Sequence, residues 1–290
     1  MPANKEKKMT TLIDGKELAK KIRSNLREEV TELKNNGIKP KLAVILVGDD
    51  KASKIYVKNK NKACEDVGIE FEEYLLDENI QMEELLKLIN SLNDNSNIHG
   101  ILLQSPIPRH LDINLAIDAI SPKKDVDGFH PVNVGKLMIG QDTFISCTPY
   151  GIIKMLEEYN VKIEGANAVV VGRSNIVGKP IAACLLNKNA TVTICHSKTK
   201  NLKEITSKAD ILVVAIGKAN FITSDMVKKD ATVIDVGINR LEDGKIVGDV
   251  EFENIKEKVS YITPVPGGVG PMTIAMLMNN VVKAAKNINK

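Results

Sequence analysis

The sequence predicts a two-domain α/β protein with a parallel sheet in each domain. Its 290 residues correspond to about two domains of roughly 150 residues each. Short apolar runs alternate with amphipathic segments in two separate series, which is the pattern of strands joined by helices. Only 3% of the residues are aromatic whereas 43% are hydrophobic, so the core is aliphatic, as in parallel strands that helices cover on both faces.

The first series of elements predicts an N-terminal α/β domain. Apolar periodicity places its elements, in chain order, at a helix over 15–36, a strand over 41–47, a helix over 53–67, a strand over 69–75, a helix over 82–92, a strand over 100–104 and a helix over 112–120. This repetition of strand, helix and strand predicts a parallel sheet with right-handed crossovers.

The second series, which is more regular, predicts a Rossmann-like domain. After a helix over 149–159, its apolar runs predict strands over 168–171, 191–195, 211–215, 232–236 and 261–263, and helices over 177–186, 202–207 and 224–227. A last helix, over 271–287, has an apolar face, so we expect it to pack back onto the first domain.

An irregular, glycine-rich stretch ends near Thr148 and predicts the domain boundary there. We therefore expect a first domain over 9–148 together with 271–290, and a second domain over 149–270. Residues 1–8 are polar and lack the apolar core of a signal peptide, so they are interpreted as a disordered extension, with a tag remnant or an upstream start as the alternatives.

Charge and cysteine content exclude several classes of protein. Forty basic and 37 acidic residues give a net charge of +3, which does not indicate a nucleic-acid-binding face. No apolar run approaches the roughly 18 residues that a membrane span requires. The four cysteines show neither a C-x-x-C pair nor zinc-like spacing, so we expect no disulfides, no metal and a reducing cytoplasm.

A strand, turn and helix around Gly172 predict an anion-binding turn. Residues 169–180 run from an apolar strand through Gly172, Arg173 and Ser174 into a helix, and such a turn directs free backbone N–H groups at a phosphate. Ser174 replaces the middle glycine of G-x-G-x-x-G, and the next glycine, Gly178, comes four residues later. The turn is interpreted as a dinucleotide site, with a plain tight turn as the alternative.

The end of the next strand favours NADP over NAD. An NAD site usually has an acidic residue there to accept the ribose hydroxyl, but this chain has His196, Ser197 and Lys198 after Cys195. Arg173 and Ser197, with His196 or Lys198, are placed to surround a 2′-phosphate. The alternative is that these are solvated loop residues.

In the first half, Ser53, Tyr56 and Lys60 share one face of a predicted helix. A lysine beside a tyrosine in a cleft can exchange protons near neutrality, although alternating lysines are also typical of solvated surfaces.

Asp125 and Asp127 follow a strand and could bind a metal ion as a pair, but no third ligand supports a metal site and a role in forming the turn is favoured. The glycine-rich loop over 263–273 has two interpretations: its backbone approaches a ligand closely, or the loop only begins a helix and binds no ligand.

Seven short motifs occur in one order along the chain. They are Tyr56-x-x-x-Lys60, Leu103-Gln104-x-Pro106-x-Pro108, Asp125-Val-Asp-Gly-Phe129, Cys147-Thr-Pro-x-Gly151, Val171-Gly-Arg-Ser-x-Ile-Val-Gly-x-Pro180, Asp235-Val-Gly-Ile-Asn239 and Pro264-Val-Pro-Gly-Gly-Val-Gly-Pro-Met-Thr273. Together they resemble the bifunctional methylenetetrahydrofolate dehydrogenase/methenyltetrahydrofolate cyclohydrolase family, over nearly the whole chain after Leu12. Ser105 and Ser146 depart from the family pattern beside the functional positions.

The resemblance implies a folate-binding first domain, an NADP-binding second domain and an active-site cleft between them. It makes Lys60 the catalytic lysine, Tyr56 its neighbour at the pterin, Gln104 a modulator of Lys60, and Asp127 the carboxylate that holds the pterin. The further residues that it assigns are Ser53, Leu103, Pro266, Gly267 and Gly270 for the substrate, and Thr148, Gly172, Arg173, Ser174, His196, Ser197 and Ile238 for the cofactor.

The implied function is oxidation of 5,10-methylenetetrahydrofolate with NADP, followed by hydrolysis of the methenyl product to 10-formyltetrahydrofolate. A cytoplasmic homodimer that supplies one-carbon units to purine biosynthesis is implied as well. Three alternatives stay open: a dehydrogenase that lacks the hydrolase step or uses NAD, a two-domain NADP enzyme of the shikimate or amino-acid dehydrogenase kind, and a non-catalytic nucleotide-binding protein.

Overall fold

A computed structural model describes residues 10–288 of the chain, so the extension expected over 1–8 lies outside the described residues. Two compact units divide the described part. The small-sheet unit comprises residues 19–147 and 273–288, and the large-sheet unit comprises residues 10–18 and 148–272. No helix within 10–288 is long and apolar enough to cross a membrane.

The regular elements follow one another along both units. In chain order they are β1 (Thr11–Leu12), α1 (Gly15–Asn35), β2 (Lys41–Val47), α2 (Lys51–Val67), β3 (Glu70–Leu76), α3 (Met82–Asp94), β4 (Gly100–Leu103), α4 (Ile113–Ala119), α5 (Pro131–Met138), α6 (Cys147–Glu158), β5 (Asn167–Val171), α7 (Gly178–Asn187), β6 (Thr191–Cys195), α8 (Leu202–Thr206), β7 (Ile211–Val214), β8 (Thr232–Asp235), β9 (Asn239–Arg240), β10 (Ile246–Val247), α9 (Phe252–Ile255), β11 (Tyr261–Ile262) and α10 (Val269–Ile288).

The small-sheet unit has a three-stranded parallel sheet in the order β3, β2, β4. The central strand β2 is buried from Leu42 onward, because strands pair with it on both sides and helices cover its faces. Helix α2, which follows β2, begins where the Asp50 carboxylate accepts a hydrogen bond from the Ser53 amide at 2.7 Å, and it ends at Gly68 in the left-handed conformation. The βαβ prediction for this half is confirmed.

The stretch before Thr148, which was predicted to be irregular and glycine-rich, contains a helix. Helix α5 begins there with Pro131 in its first turn, and the imidazole Nδ1 of His130 accepts a hydrogen bond from the Val132 amide at 3.1 Å. A proline at this position and a side-chain cap stabilise a helix start. Gly135 within the helix and Gly140 after it obscured the short apolar pattern.

The large-sheet unit has a six-stranded parallel sheet in the order β1, β11, β8, β7, β5, β6. Strand β6 lies on one side of β5 and β7 lies on the other, so the strand order reverses at β5. The predicted Rossmann-like sheet is therefore confirmed, and ligands bind at such a reversal in open α/β sheets. The helix predicted over 224–227 is a single 3₁₀ turn, Ser224–Met226, and the short elements β1, β9, β10 and α9 were not predicted.

The last helix packs within the small-sheet unit from Thr273 onward. The Asn280 side-chain amide on α10 donates to the carbonyl oxygens of Val126 at 2.8 Å and Ile145 at 3.1 Å. Met278 on the same helix is buried and contacts the Cys64 thiol, at a sulfur–sulfur distance of 3.6 Å. The helix thereby holds the loop that carries Asp127.

Candidate active site

Lys60 and Gln104 are in direct contact in the small-sheet unit. Lys60 lies on α2, and Gln104 follows β4 immediately. The Lys60 ammonium nitrogen Nζ lies 2.8 Å from the Gln104 carbonyl oxygen Oε1. The Gln104 amide nitrogen donates to the Ser105 carbonyl at 2.7 Å, so the buried side chain must direct its oxygen at the lysine. A neutral acceptor therefore holds Lys60.

Asp127 lies near this pair, in the loop before α5. Burial raises the pKa of the Asp127 carboxyl, and the positive charge of Lys60 opposes that shift. The two groups are thus close enough to interact electrostatically, although Asp127 and Lys60 form no direct hydrogen bond in the described structure. Lys60, Gln104 and Asp127, which are far apart in the sequence, belong to one cluster.

Cys147, for which the sequence predicted no role, is buried beside Asp127. Its sulfur lies 3.8 Å from the Asp127 Oδ1 and 3.5 Å from the Val126 carbonyl oxygen. Burial raises the pKa of the Cys147 thiol well above its ordinary value, and the Asp127 carboxyl adds to the shift. The thiol therefore stays protonated, and it acts as a weak donor toward the carboxylate. The Cys147-Thr-Pro motif was the feature of the sequence that could have indicated a place for Cys147 in the site.

Asp125 organises the turn that presents Asp127. Its carboxylate accepts hydrogen bonds from the backbone amides of Gly128, Phe129 and His130, at 3.1, 3.2 and 2.8 Å, and from the Asn133 side chain at 2.8 Å. These four donors occupy the carboxylate, which matches the turn role that the sequence favoured. Within residues 10–288, no group of three or more His, Cys, Asp or Glu side chains could hold a metal ion.

Ser53 and Tyr56 lie two turns and one turn, respectively, before Lys60 on α2, but their environments differ. Tyr56 is 53% exposed, whereas Ser53 is 1% exposed. The Ser53 hydroxyl oxygen is buried and has no hydrogen-bond partner in the described structure. Leu103 is buried at the end of β4, next to Gln104. The predicted helix face therefore combines an exposed ring with a buried, unpaired hydroxyl.

In the large-sheet unit, the turn around Gly172 follows β5 at the point where the strand order reverses. A Cβ atom at Gly172 would lie 2.3 Å from the Ala215 carbonyl oxygen, and one at Gly178 would lie 2.3 Å from the Gly172 carbonyl oxygen. Both glycines are therefore required for close backbone packing. The Ser174 hydroxyl accepts hydrogen bonds from the amides of Val177 and Gly178, each at 3.2 Å. Ser174, which occupies the position of the middle glycine of G-x-G-x-x-G, thus stabilises the start of α7.

Arg173, His196 and Ser197 lie at the same edge of the large sheet. The register pairs Val171 of β5 with Cys195 of β6, so the residues that follow these two strands are neighbours. Arg173 and Ser197 are exposed and His196 is partly buried. No carboxylate follows β6 in this segment. The edge therefore presents a guanidinium cation and a hydroxyl group, both of which can bind a phosphate monoester.

The glycine-rich loop after β11 lines a cavity of about 190 Å³ in the large-sheet unit. Residues 235–238 and 264–271 form most of its wall. Four of the predicted residues, Ile238, Pro266, Gly267 and Gly270, are among them, and Ile238 is 61% exposed. Thr148, another predicted cofactor residue, lies in the first turn of α6.

Asp235, at the end of β8, is a buried carboxyl group beside this cavity. Burial raises the pKa of Asp235 to about 6, against the opposing effect of hydrogen bonds from the amides of Asp249, Val250 and Gly237. A carboxyl whose pKa is higher in the folded chain stabilises the fold at low pH, and this stabilisation is lost as the pH rises through about 6.

We expect this ionisation to affect stability measurably. The unfolding free energy of the wild type, relative to that of Asp235→Asn, should fall by about 2 kcal/mol between pH 4 and pH 7. Urea denaturation of both proteins at several pH values measures this difference. A difference that does not change with pH would contradict the raised pKa of Asp235.

Comparison with known proteins shows similarity over both units. The catalytic-domain model of tetrahydrofolate dehydrogenase/cyclohydrolase matches residues 13–127, and the NAD(P)-binding-domain model of the same family matches residues 146–289. The bifunctional protein FolD of Oceanobacillus iheyensis is 58% identical over 281 residues, which cover 97% of this chain and 99% of that protein.

Two solved structures extend the comparison to three dimensions. The FolD crystal structure from Campylobacter jejuni is 56% identical and matches with a TM-score of 0.95, covering 96% of this chain and 99% of that one. The Trypanosoma brucei FolD, solved with NADP and an inhibitor, is 37% identical and matches with a TM-score of 0.91, covering 96% and 98% of the two chains. The backbone of the chain therefore matches these proteins over nearly its full length.

Proposed function

Because the chain belongs to the tetrahydrofolate dehydrogenase/cyclohydrolase family, we infer that it catalyses two successive reactions on reduced folate. It oxidises 5,10-methylenetetrahydrofolate to the methenyl form with NADP, and it hydrolyses the methenyl form to 10-formyltetrahydrofolate. Among the structural observations, the contact between Lys60 and Gln104 beside Asp127 carries the assignment of the site.

Lys60 is the group that moves protons in the hydrolytic step. Water attacks the methenyl carbon, which is bonded to N5 and N10, and the bond from that carbon to N5 then breaks. A proton must leave the attacking water and one must reach N5. An amine held beside the substrate can carry out such a transfer, and a positioned acid–base group typically accelerates a reaction 10²–10⁴-fold.

Gln104 orients Lys60 without fixing its charge. A carboxylate at this position would stabilise the ammonium form and hinder its loss of a proton. The amide oxygen accepts from Lys60 at 2.8 Å, and the amide nitrogen is occupied by Ser105. Lys60 is thus positioned by a neutral partner and stays able to exchange a proton.

Asp127 is assigned to hold the pterin ring. Adjacent N–H donors on the ring match the two oxygens of a carboxylate, as a guanidinium group does. Burial raises the pKa of Asp127, whereas two N–H donors favour the ionised carboxylate. Binding of the ring therefore offsets the cost of a buried charge at Asp127. Ser53, Tyr56 and Leu103 complete the proposed substrate contacts.

The turn around Gly172 fits the cofactor. The backbone amides of Arg173 and Ser174 donate no hydrogen bond within residues 10–288, so both are available to a phosphate group. We assign Gly172, Arg173, Ser174, Thr148, His196, Ser197 and Ile238 to cofactor binding, and Pro266, Gly267 and Gly270 to the substrate side. NADP supplies the hydride acceptor when bound, and the residues of this chain bind and orient it.

Arg173 is expected to determine the preference for NADP. Its exposed guanidinium group lies at the sheet edge with Ser197, where the 2′-phosphate of NADP would bind. Arg173→Ala should raise the KM for NADP roughly tenfold or more, which corresponds to about 1.4 kcal/mol, and should change the KM for NAD little. Steady-state kinetics with both cofactors measures this. Equal effects on NADP and NAD would contradict the role of Arg173.

The two activities can be separated in one assay. With methylenetetrahydrofolate and NADP, the reduced cofactor and the methenyl intermediate are followed together by their absorbance. We expect the reduced cofactor to accumulate while the intermediate stays low, and we expect added methenyltetrahydrofolate to be hydrolysed without cofactor. Accumulation of the intermediate in the amount of the reduced cofactor would instead indicate a dehydrogenase alone.

We propose further that the protein is a cytoplasmic homodimer that provides one-carbon units for purine biosynthesis. All four cysteines are buried and free, which supports a reducing compartment. Strand β6 is an outer strand of the large sheet, and its Ile194 is 41% exposed, so a second copy has unpaired backbone groups and an apolar side chain to cover. Analytical ultracentrifugation tests the dimer, and a single monomeric species at micromolar concentration would contradict it.

A further inference from the structure

A buried carboxylate, Asp249, has hydrogen-bond donors from two separate segments. It is 0% exposed. Its Oδ2 accepts from the amides of Ile216 at 2.7 Å and Gly217 at 2.9 Å, and its Oδ1 accepts from the amide of Lys218 at 2.8 Å and the side chain of Asn239 at 2.9 Å. All four donors are uncharged, so the carboxylate is held as an anion is held in a nest of amides.

Asp235 in turn holds the backbone at Asp249. Its carboxylate accepts from the amides of Asp249, Val250 and Gly237, each at 2.9 Å. Glycine is required at two positions for this arrangement. A Cβ atom at Gly237 would lie 2.3 Å from the Asp249 Oδ1, and one at Gly248 would lie 1.8 Å from the Asp235 Oδ2. The two carboxylates and two glycines therefore form one close-packed assembly.

The segments that Asp249 joins follow the carboxyl ends of neighbouring strands. Residues 216–218 come soon after β7, and Asn239 comes soon after β8, which pairs with β7. Ligands bind beyond these strand ends in open α/β sheets. Ile238 lies between Gly237 and Asn239, and it lines the 190 Å³ cavity. The position of Ile238 therefore depends on the bonds that Asp249 makes.

We propose that Asp249 is a positioning residue for the cofactor: it joins the 216–218 turn to the segment over 237–239 and so sets the shape of the site in which NADP binds. The proposal rests on the proposed function, because it takes Ile238 as a cofactor residue. Asp249 itself is fully buried among protein donors and is not a catalytic residue. Its contribution is to hold two loops that the sheet alone does not join.

The test is Asp249→Asn, which keeps the shape of the side chain. The asparagine NH₂ group cannot accept a hydrogen bond, so the two donors that bind the replaced oxygen lose their acceptor. We expect the KM for NADP in the dehydrogenase reaction to rise tenfold or more, and the Kd for NADP to rise in parallel. Hydrolysis of methenyltetrahydrofolate, which needs no NADP, should stay within twofold of the wild type, because Lys60, Gln104 and Asp127 lie in the small-sheet unit.

Asp210→Asn is the matched control. Asp210 precedes β7, at the opposite end of the strand, and its carboxylate also accepts a backbone hydrogen bond, from the Asn167 amide at 2.9 Å. This variant should lower stability without changing the KM for NADP. If Asp249→Asn does not fold, Asn239→Ala removes one donor only, and it should still raise the KM for NADP selectively.

Three outcomes decide the proposal. A selective rise in the KM and Kd for NADP supports it. An unchanged KM for NADP in a folded Asp249 variant overturns it, and so does an equal loss of both activities, which a merely structural role would produce. A wild-type protein that lacks dehydrogenase activity contradicts the proposed function itself, so the two failures are distinguishable.

Discussion

Replacing Lys60 by methionine is expected to lower the cyclohydrolase rate by 10²–10⁴-fold, the usual contribution of a positioned acid–base group. Methionine keeps an unbranched side chain but has no proton to exchange and cannot donate to Gln104. Dehydrogenation should weaken as well, because Lys60 also lies against the substrate in the proposed site. The rate at which methenyltetrahydrofolate disappears, measured without NADP, gives the effect directly.

Lys58→Met is the control for Lys60→Met. Lys58 is exposed on the same helix and is not part of the proposed site. Its replacement should leave both activities near those of the wild type, and circular dichroism should show that both variants are folded. Wild-type hydrolysis by a folded Lys60→Met protein would remove Lys60 from the mechanism.

Replacing Asp127 by alanine is expected to weaken folate binding by about 2–5 kcal/mol, the typical cost of losing one partner of a buried, charged hydrogen bond. Both activities should fall together because both use the same bound ring. The Kd for NADP should stay near the wild-type value, since the turn around Gly172 belongs to the other unit. Titration with a folate analogue measures the first effect and titration with NADP measures the second.

Asp127→Asn separates binding of the pterin from formation of the turn. Asparagine forms turns as readily as aspartate, but it presents only one acceptor oxygen to the two N–H donors of the ring. We therefore expect weak folate binding in this variant too. Unchanged folate affinity would make Asp127 a turn residue, and the substrate contact would have to be assigned elsewhere.

The sequence alone determined the features that depend on neighbouring residues. Alternating apolar and amphipathic segments specify the strands and helices, because burial repeats with the period of each element. The turn at Gly172 was predictable because its glycines and the following helix lie within a few residues of each other. Lys60, Gln104 and Asp127 were proposed as site residues from the resemblance of short motifs, whereas their spacing alone left Lys60 open to a surface role.

Only the tertiary structure decided which distant groups meet. It placed the Cys147 thiol beside Asp127 and the Asn280 amide of the last helix on the Val126 carbonyl. It also brought Asp249 to the amides of 216–218, more than thirty residues away in the chain, and paired the two-residue strand β1 with β11. Such contacts leave no local periodicity, because they arise from packing between elements whose separation in sequence carries no information about their distance in space.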